Sequence, residues 1–251
     1  LLAKTDGSHQ AIDEAREVSL LADSFGSALT LLASADATLS EITWLSLRVS
    51  ATATLLAAAL GLPLGAWVAL ARGGWRQSVI VVLNAAMGLP PVVVGLVVYL
   101  LLSRSGPLGT LGWLFTPAGM VMAQTVLITP IIAALARQTI EDAHAPLADW
   151  FASLGLTTTQ RVVTLLHEAR FSLAVVLLAG FGRAIAEVGA VMMVGGNIAG
   201  STRVMTTTIA LETSKGDLPL ALALGMLLVT LVLMVNGGAQ ALKRWMERRH
   251  G

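Results

Sequence analysis

Long stretches almost without charge constrain this chain more than any other feature. Val49–Ala71, Gln77–Ser103, Ser105–Ala136 and Leu218–Leu242 contain no Asp, Glu, Lys or Arg. Phe171–Gly195 contains only two, Arg183 and Glu187. A helix crosses the hydrocarbon core with about 20 mostly apolar residues. Hydrophobic residues make up 55% of the 251 positions and charged residues 12%, about half the charged share of ordinary soluble domains. The expected fold is all-α, a polytopic transmembrane helix bundle of about five spanning helices, with six possible. The first helix is expected to begin near Ile42, with Arg48 near its outer end. Ser105–Ala136 is too long for one span, so a loop to about Gly112 and a helix from Trp113 are expected. Leu20–Leu32 is too short to span. Its Leu20, Leu21, Phe25, Leu29 and Leu32 recur at helical spacing, which predicts an interfacial amphipathic helix or, alternatively, a short sixth span.

Three segments follow: residues 1–40 as an N-terminal segment, 41–245 as the membrane domain, and 246–251 as a tail. The chain opens on Leu1, and its first Met is Met87. Residues 1–17 are polar, mixed in charge and unlike a secretory signal. They are expected to be either a non-native extension upstream of a true start at Val18, or a remnant of a longer chain.

Basic residues orient such a chain. One set of loops holds Arg72, Arg76, Arg137, Arg161, Arg170, Lys243, Arg244, Arg248 and Arg249, which is 2 + 3 + 4 = 9. The other holds Arg104, Arg203 and Lys215, which is 3. The C-terminus and the long polar loop 137–170 are therefore expected on the cytoplasmic side.

Several residues stand out against the apolar background. Gly61 and Gly65 form a G-x-x-x-G that lets helices approach closely. Pro90 and Pro91 remove two N–H donors from the second span. They read either as kinked packing or as the wall of a pathway. Asn84 and Gln124 are single polar residues suited to interhelical hydrogen bonds. Arg183 and Glu187 lie four residues apart, so a continuous helix puts them on one face as an ion pair. That pair either locks the bundle or lines a pathway, with Gly180, Gly182 and Gly189 leaving room for a gate. Gly195–Gly196 should end that helix, with Asn197 accepting a positive φ, and a surface or partly re-entrant helix should follow, facing outward.

Within the polar loop, "DWFASLG" from Asp149 to Gly155 predicts a short amphipathic helix with a glycine stop. Trp150, Phe151 and Leu154 are expected on one face. This helix lies on lipid or docks in a groove of a soluble partner. A further helix should start at the Thr-rich "TTTQ".

The chemistry the sequence lacks is also informative. Without Cys there are no disulfides, thiolate nucleophiles or Cys-based metal sites. Paired aspartates, H-E-x-x-H and a Ser–His pair at membrane depth are absent, so the chain does not read as an enzyme. No G-x-x-x-x-G-K-[ST] is present. ATP, if it drives the function, must bind another subunit. Nothing calls for a cofactor, a metal ion or nucleic acid.

The short loop helix followed by two spans resembles the coupling loop of permeases in ABC importers, which carry E-A-A-x-x-x-G. Here Asp149 stands for the Glu, and Trp150 and Phe151 replace the two Ala. The apolar-x-Leu-Pro that usually follows the glycine is absent, and "VTLLHEAR" takes its place. Three longer stretches resemble the permease subunits of tungstate-type oxyanion importers, relatives of the molybdate and sulfate permeases. They are "DSFGSALTLL…LSLRVS", "MGLPPVVVGLVVYLLLSRSGPLG" and "LLHEARFSLAVVLLAGFGRAIAEVGAVMMVGGNIAGSTRVMTTTIALETSKGD". The resemblance covers about residues 20–245. It implies a type I importer-like bundle in a bacterial or archaeal inner membrane, paired with a second copy of itself. It also implies two cytoplasmic ATPase subunits and an extracytoplasmic oxyanion-binding protein. Asp149, Trp150, Phe151, Leu154 and Gly155 would then couple to the ATPase. Arg183, Glu187, Pro90, Pro91 and Asn197 would belong to the pathway or its gate. An ion-coupled secondary transporter of a small anion is the alternative.

Overall fold

The first long helix is built on small residues. In a computed structural model, which describes residues 23–34 and 37–250, it runs Ala37–Leu70 and carries Pro63 without ending. It is designated α2, after a helix α1 over 23–33. Then come α3 Trp75–Met87, α4 Pro91–Leu102, α5 Pro117–His144, α6 Ala148–Ser153 and α7 Thr158–Glu168. The chain continues with α8 Arg170–Ile185, α9 Gly189–Gly195, α10 Met205–Lys215 and α11 Leu218–His250. There is no strand among the described residues. The expected start at Val18 and the first two leucines of the N-terminal amphipathic stretch lie outside the described residues. Of that stretch, Phe25 and Leu29 are exposed on α1, while Ala28 is buried.

The α2–α5 pair is the most extensive contact in the bundle. Its seam is the predicted G-x-x-x-G. A Cβ on Gly65 would collide with the Ala133 carbonyl oxygen and sit 2.9 Å from Ala136 Cβ. A Cβ on Gly61 would meet the Thr129 carbonyl oxygen and Ile132 at 3.0 Å. Backbone on the far side cannot swing away, so Gly65→Ala should separate the helices and cost about 1–3 kcal/mol. A drop in thermal stability of the purified protein, without loss of membrane insertion, is the expected result.

Among the described residues, three helices or helix runs are long and apolar enough to cross a membrane, and five spans are reached only if two bent pairs each count as one. The α3–α4 pair bends by 97° and the α7–α8 pair by 75°. The structure corrects the expected spans at several points. The first helix starts at Ala37, not near Ile42, because a helix can run on past the hydrocarbon once its polar residues reach water. At about 1.5 Å per residue, Val49–Leu70 alone covers roughly the 30 Å core. The second span is two helices, since Pro90 takes an extended conformation (φ −60°, ψ 126°) and Pro91 opens α4. The third starts at Pro117, not Trp113. Its Thr116 hydroxyl accepts the Gly119 N–H at 3.4 Å, and it runs past Arg137 to His144 without a stop.

The segment after α9 also differs from expectation. α10 is not a surface helix. Met205, Thr206, Thr207 and Thr208 are buried, and α10 packs on α11 and α2. Ser46 of α2 accepts the Met205 N–H at 2.8 Å, so the helix start is satisfied by a neighbouring span rather than by water.

Candidate functional site

The charged stretch of the fourth span is not one helix. α8 stops at Ile185 and α9 starts at Gly189. Three residues, Ala186 to Val188, join them. The carbonyls and N–H groups freed by this break find partners from other elements. Gln124 of α5 donates its side-chain amide to the Ala184 carbonyl at 2.9 Å. Thr206 of α10 donates its hydroxyl to the Glu187 carbonyl at 2.8 Å. The Glu187 carboxylate accepts the Ala190 N–H at 3.2 Å, capping α9.

Arg183 and Glu187 do pair, at 3.2 Å, but across the break rather than along a helical face. The pair is lopsided. The Glu187 side chain is 2% exposed and that of Arg183 41%. The anion is held inside by a backbone N–H and a guanidinium, while the cation is presented on the surface of the single chain. Arg183 lies 13 residues along α8 from Arg170, about 20 Å of helix.

The start of α4 meets the α8–α9 junction here. α4 packs along α9. A Cβ on Gly189 would fall 2.7 Å from Val92 Cγ2, and one on Gly95 would fall 2.7 Å from Ala190 Cα. The Pro90–Pro91 start of α4 therefore lies against the Glu187–Gly189 start of α9. Of the other glycines expected around a gate, Gly180 packs tightly on Ile132, whereas Gly182 faces open space. Asn197 belongs elsewhere. It lies beyond the far end of α9 with φ 51°. Its side-chain oxygen accepts the Thr207 hydroxyl at 2.9 Å, and its amide donates to the Thr207 carbonyl at 3.3 Å. It clasps the 196–204 loop shut.

A buried polar layer surrounds the break, and the sequence reading singled out its Gln124 and Glu187 but not its Ser46, Ser50 or Thr206. Ser46, Ser50, Gln124, Glu187 and Thr206 line one small cavity. Ser46, Ser50 and Thr54 recur every fourth residue on α2, a signal that an apolar span carries a polar face. Gln124 forms the expected interhelical hydrogen bond. Asn84 forms none with a described residue and is exposed on α3.

The second candidate region is the loop helix α6. A 3-10 turn at Ala145–Leu147 leads into it, and Gly155 at φ 61° turns the chain out of it. Glycine takes that conformation at no steric cost. Thr157 then opens α7 with a full capping box to Gln160. Here the structure corrects the expectation that Trp150, Phe151 and Leu154 share a face. Phe151 is fully buried, packed among Ala66, Ala136, Ile140 and Leu165. Trp150 and Leu154 are 55% and 53% exposed. Phe151 nails the helix to the bundle, and its neighbours project. Asp149 sits exposed in the first turn, where a carboxylate complements the helix dipole. Among the described residues, no group of three or more His, Asp or Glu side chains could hold a metal ion.

With this geometry in hand, comparisons with known proteins are informative. Residues 61–248 match the family described as binding-protein-dependent transport system inner membrane component. A probable anion ABC transporter permease protein of Haloferax volcanii is 45% identical over 202 residues, covering 78% of this chain and 87% of that one. The tungstate uptake system permease protein TupB of Peptoclostridium acidaminophilum is 39% identical over 216 residues, covering 86% and 95%. Among solved structures, an inward-facing conformation of the MetNI methionine ABC transporter superposes with a TM-score of 0.66. It shares 18% identity and covers 80% of this chain and 92% of that one, a likeness that concerns the fold alone.

Proposed function

Since the chain belongs to the family of binding-protein-dependent transport system inner membrane components, we propose that it is the permease subunit of an ABC importer for a tetrahedral oxyanion. Tungstate is the first candidate and molybdate the second, with sulfate third. Two copies would form the pathway, ATPase subunits would dock on α6 from the cytoplasm, and an extracytoplasmic binding protein would deliver the anion. The names of the relatives support the substrate class. The observation that carries the mechanism is the lopsided pair, a buried Glu187 holding an exposed Arg183 in an otherwise charge-free stretch.

A lipid-facing arginine at the centre of a span costs roughly 2.5–3.5 kcal/mol. An aqueous pathway shared by two copies removes most of that cost and gives the cation a task. Arg183 attracts the dianion. Glu187 neutralises enough of the field that the anion is not trapped, as conduction requires. No residue of this chain performs chemistry on the anion. Selection falls to the binding protein, so calorimetric titration of that protein with tungstate, molybdate and sulfate ranks the cargo. Tungstate should bind tightest, and tighter sulfate binding would overturn the assignment.

The orientation has its own test. Ser201 is exposed in the loop after α9. A Ser201→Cys variant of this cysteine-free chain should react with an impermeant maleimide from outside intact cells. Labelling only after permeabilisation would invert the topology.

A further inference from the structure

The ends of four helices, the C-termini of α2 and α5 and the N-termini of α3 and α7, enclose a cleft of about 660 Å³. Its polar wall holds Arg72, Arg76, His144 and Arg161, and its apolar wall holds Trp67 and Trp75. Not all of that charge is free. Glu141 pairs with Arg76 and, at 2.6 Å, with Arg137. Arg76 also donates to the Val68 carbonyl at 3.2 Å. Arg72 and Arg161 meet no carboxylate within 4 Å among the described residues. Arg161 donates its Nε to the Leu156 carbonyl at 2.9 Å, which aims the rest of the guanidinium without neutralising it. Arg72 is exposed. The cleft therefore carries about two uncompensated positive charges.

The aromatic side fixes its level. Trp67 and Trp75 stack at 4.8 Å with their planes 30° apart, and each keeps nearly half its surface exposed. They stand at the end of a spanning helix, where tryptophan marks the boundary between hydrocarbon and headgroups. A cationic floor beside an exposed indole wall suits a molecule that is anionic at one end and apolar at the other.

We propose that this cleft binds the phosphate headgroup of an anionic phospholipid, with Arg72 and Arg161 on the phosphate and the Trp67–Trp75 pair against the glycerol and upper acyl chains. The charge fits a phospholipid of net negative charge and disfavours a zwitterionic or uncharged one. The site adjoins the α5–α6–α7 region, whose Phe151 cluster includes Ala66 near the end of α2, so a bound lipid would brace the elements that hold α6. The inference rests on the membrane placement of the family and not on which anion is carried, so anion uptake and lipid binding can fail separately.

Native mass spectrometry of the detergent-solubilised full chain tests it, with phosphatidylglycerol, phosphatidylcholine and diacylglycerol added in turn. Phosphatidylglycerol should be retained well above the other two. An interfacial arginine strengthens anionic-lipid binding roughly fivefold. Arg72→Gln should therefore lose about fivefold and Arg72→Gln with Arg161→Gln about 25-fold. Arg104→Gln, whose position lines no part of the cleft, should lose nothing. Arg72 makes no hydrogen bond to a described residue, so its single variant stays interpretable if the double variant folds poorly. Equal retention of phosphatidylcholine, or undiminished phosphatidylglycerol on a folded Arg72→Gln variant, would overturn the proposal. Displacement of the lipid by millimolar inorganic phosphate would make it a free-anion site instead. Protection of Arg72 from phenylglyoxal only when ATPase subunits are added, with no lipid preference, would make it a protein contact.

Discussion

Replacing Trp150 and Leu154 together with aspartate should leave a folded, membrane-inserted permease that no longer retains its ATPase subunits and whose uptake falls to background. Both side chains are more than half exposed on α6, and neither belongs to the cluster that fixes the helix. Two exposed apolar side chains entering a partner's groove are the kind of anchor whose loss costs at least about 2 kcal/mol each. Two such losses reduce affinity by a factor on the order of 10³. The measurement is co-purification with the ATPase subunit beside a stability curve. Phe151→Ala is the contrasting variant. It empties a fully buried site and should cost about 3–5 kcal/mol of fold stability, so its ATPase loss would follow unfolding. If the Trp150/Leu154 double variant still brings down the ATPase and transports, α6 is a membrane-surface feature.

The second large effect concerns the pair at the break, and its asymmetry dictates the order of the variants. Arg183→Met leaves the Glu187 carboxylate buried with one backbone N–H as its remaining partner. Stranding a buried charge costs several kcal/mol, discounted here to about 2–3 because Arg183 is partly exposed. Glu187→Met strands only a half-exposed cation but removes the α9 cap, costing about 1 kcal/mol. The double variant should therefore assemble better than Arg183→Met. Assembled double variant should retain its ATPase while anion uptake falls about 100-fold, because the exposed cation that would attract the anion is lost together with its buried partner. Uptake at the parent rate by the double variant would reduce the pair to a structural lock.

Much of the bundle was legible because hydrocarbon allows few alternatives. Charge-free length marks a span whatever packs against it. Pro91, Thr157 and Gly155 act through local backbone chemistry, so they marked boundaries without any knowledge of the fold. The break at Ala186–Val188 was not legible. "AIAEVG" holds no proline, and its only glycine lies at the start of α9. The break persists because Gln124 of α5 and Thr206 of α10 bind carbonyls at and beside it, while Glu187 within the break accepts the Ala190 N–H at the start of α9. A local pattern carries no trace of such partners. The inward turn of Phe151 was hidden for another reason. Six residues make too few turns for periodicity to choose between two apolar faces. The burial of α10 likewise depends on Ser46, 159 residues away in sequence.

The account stands most directly on transport itself. Proteoliposomes containing the permease with its ATPase, supplied with the loaded binding protein on the side opposite the ATPase, should accumulate tungstate only when ATP is present on the ATPase side. Accumulation should stop when either the nucleotide or the binding protein is withheld. Accumulation by the permease alone, driven by an ion gradient without ATP, would contradict the account.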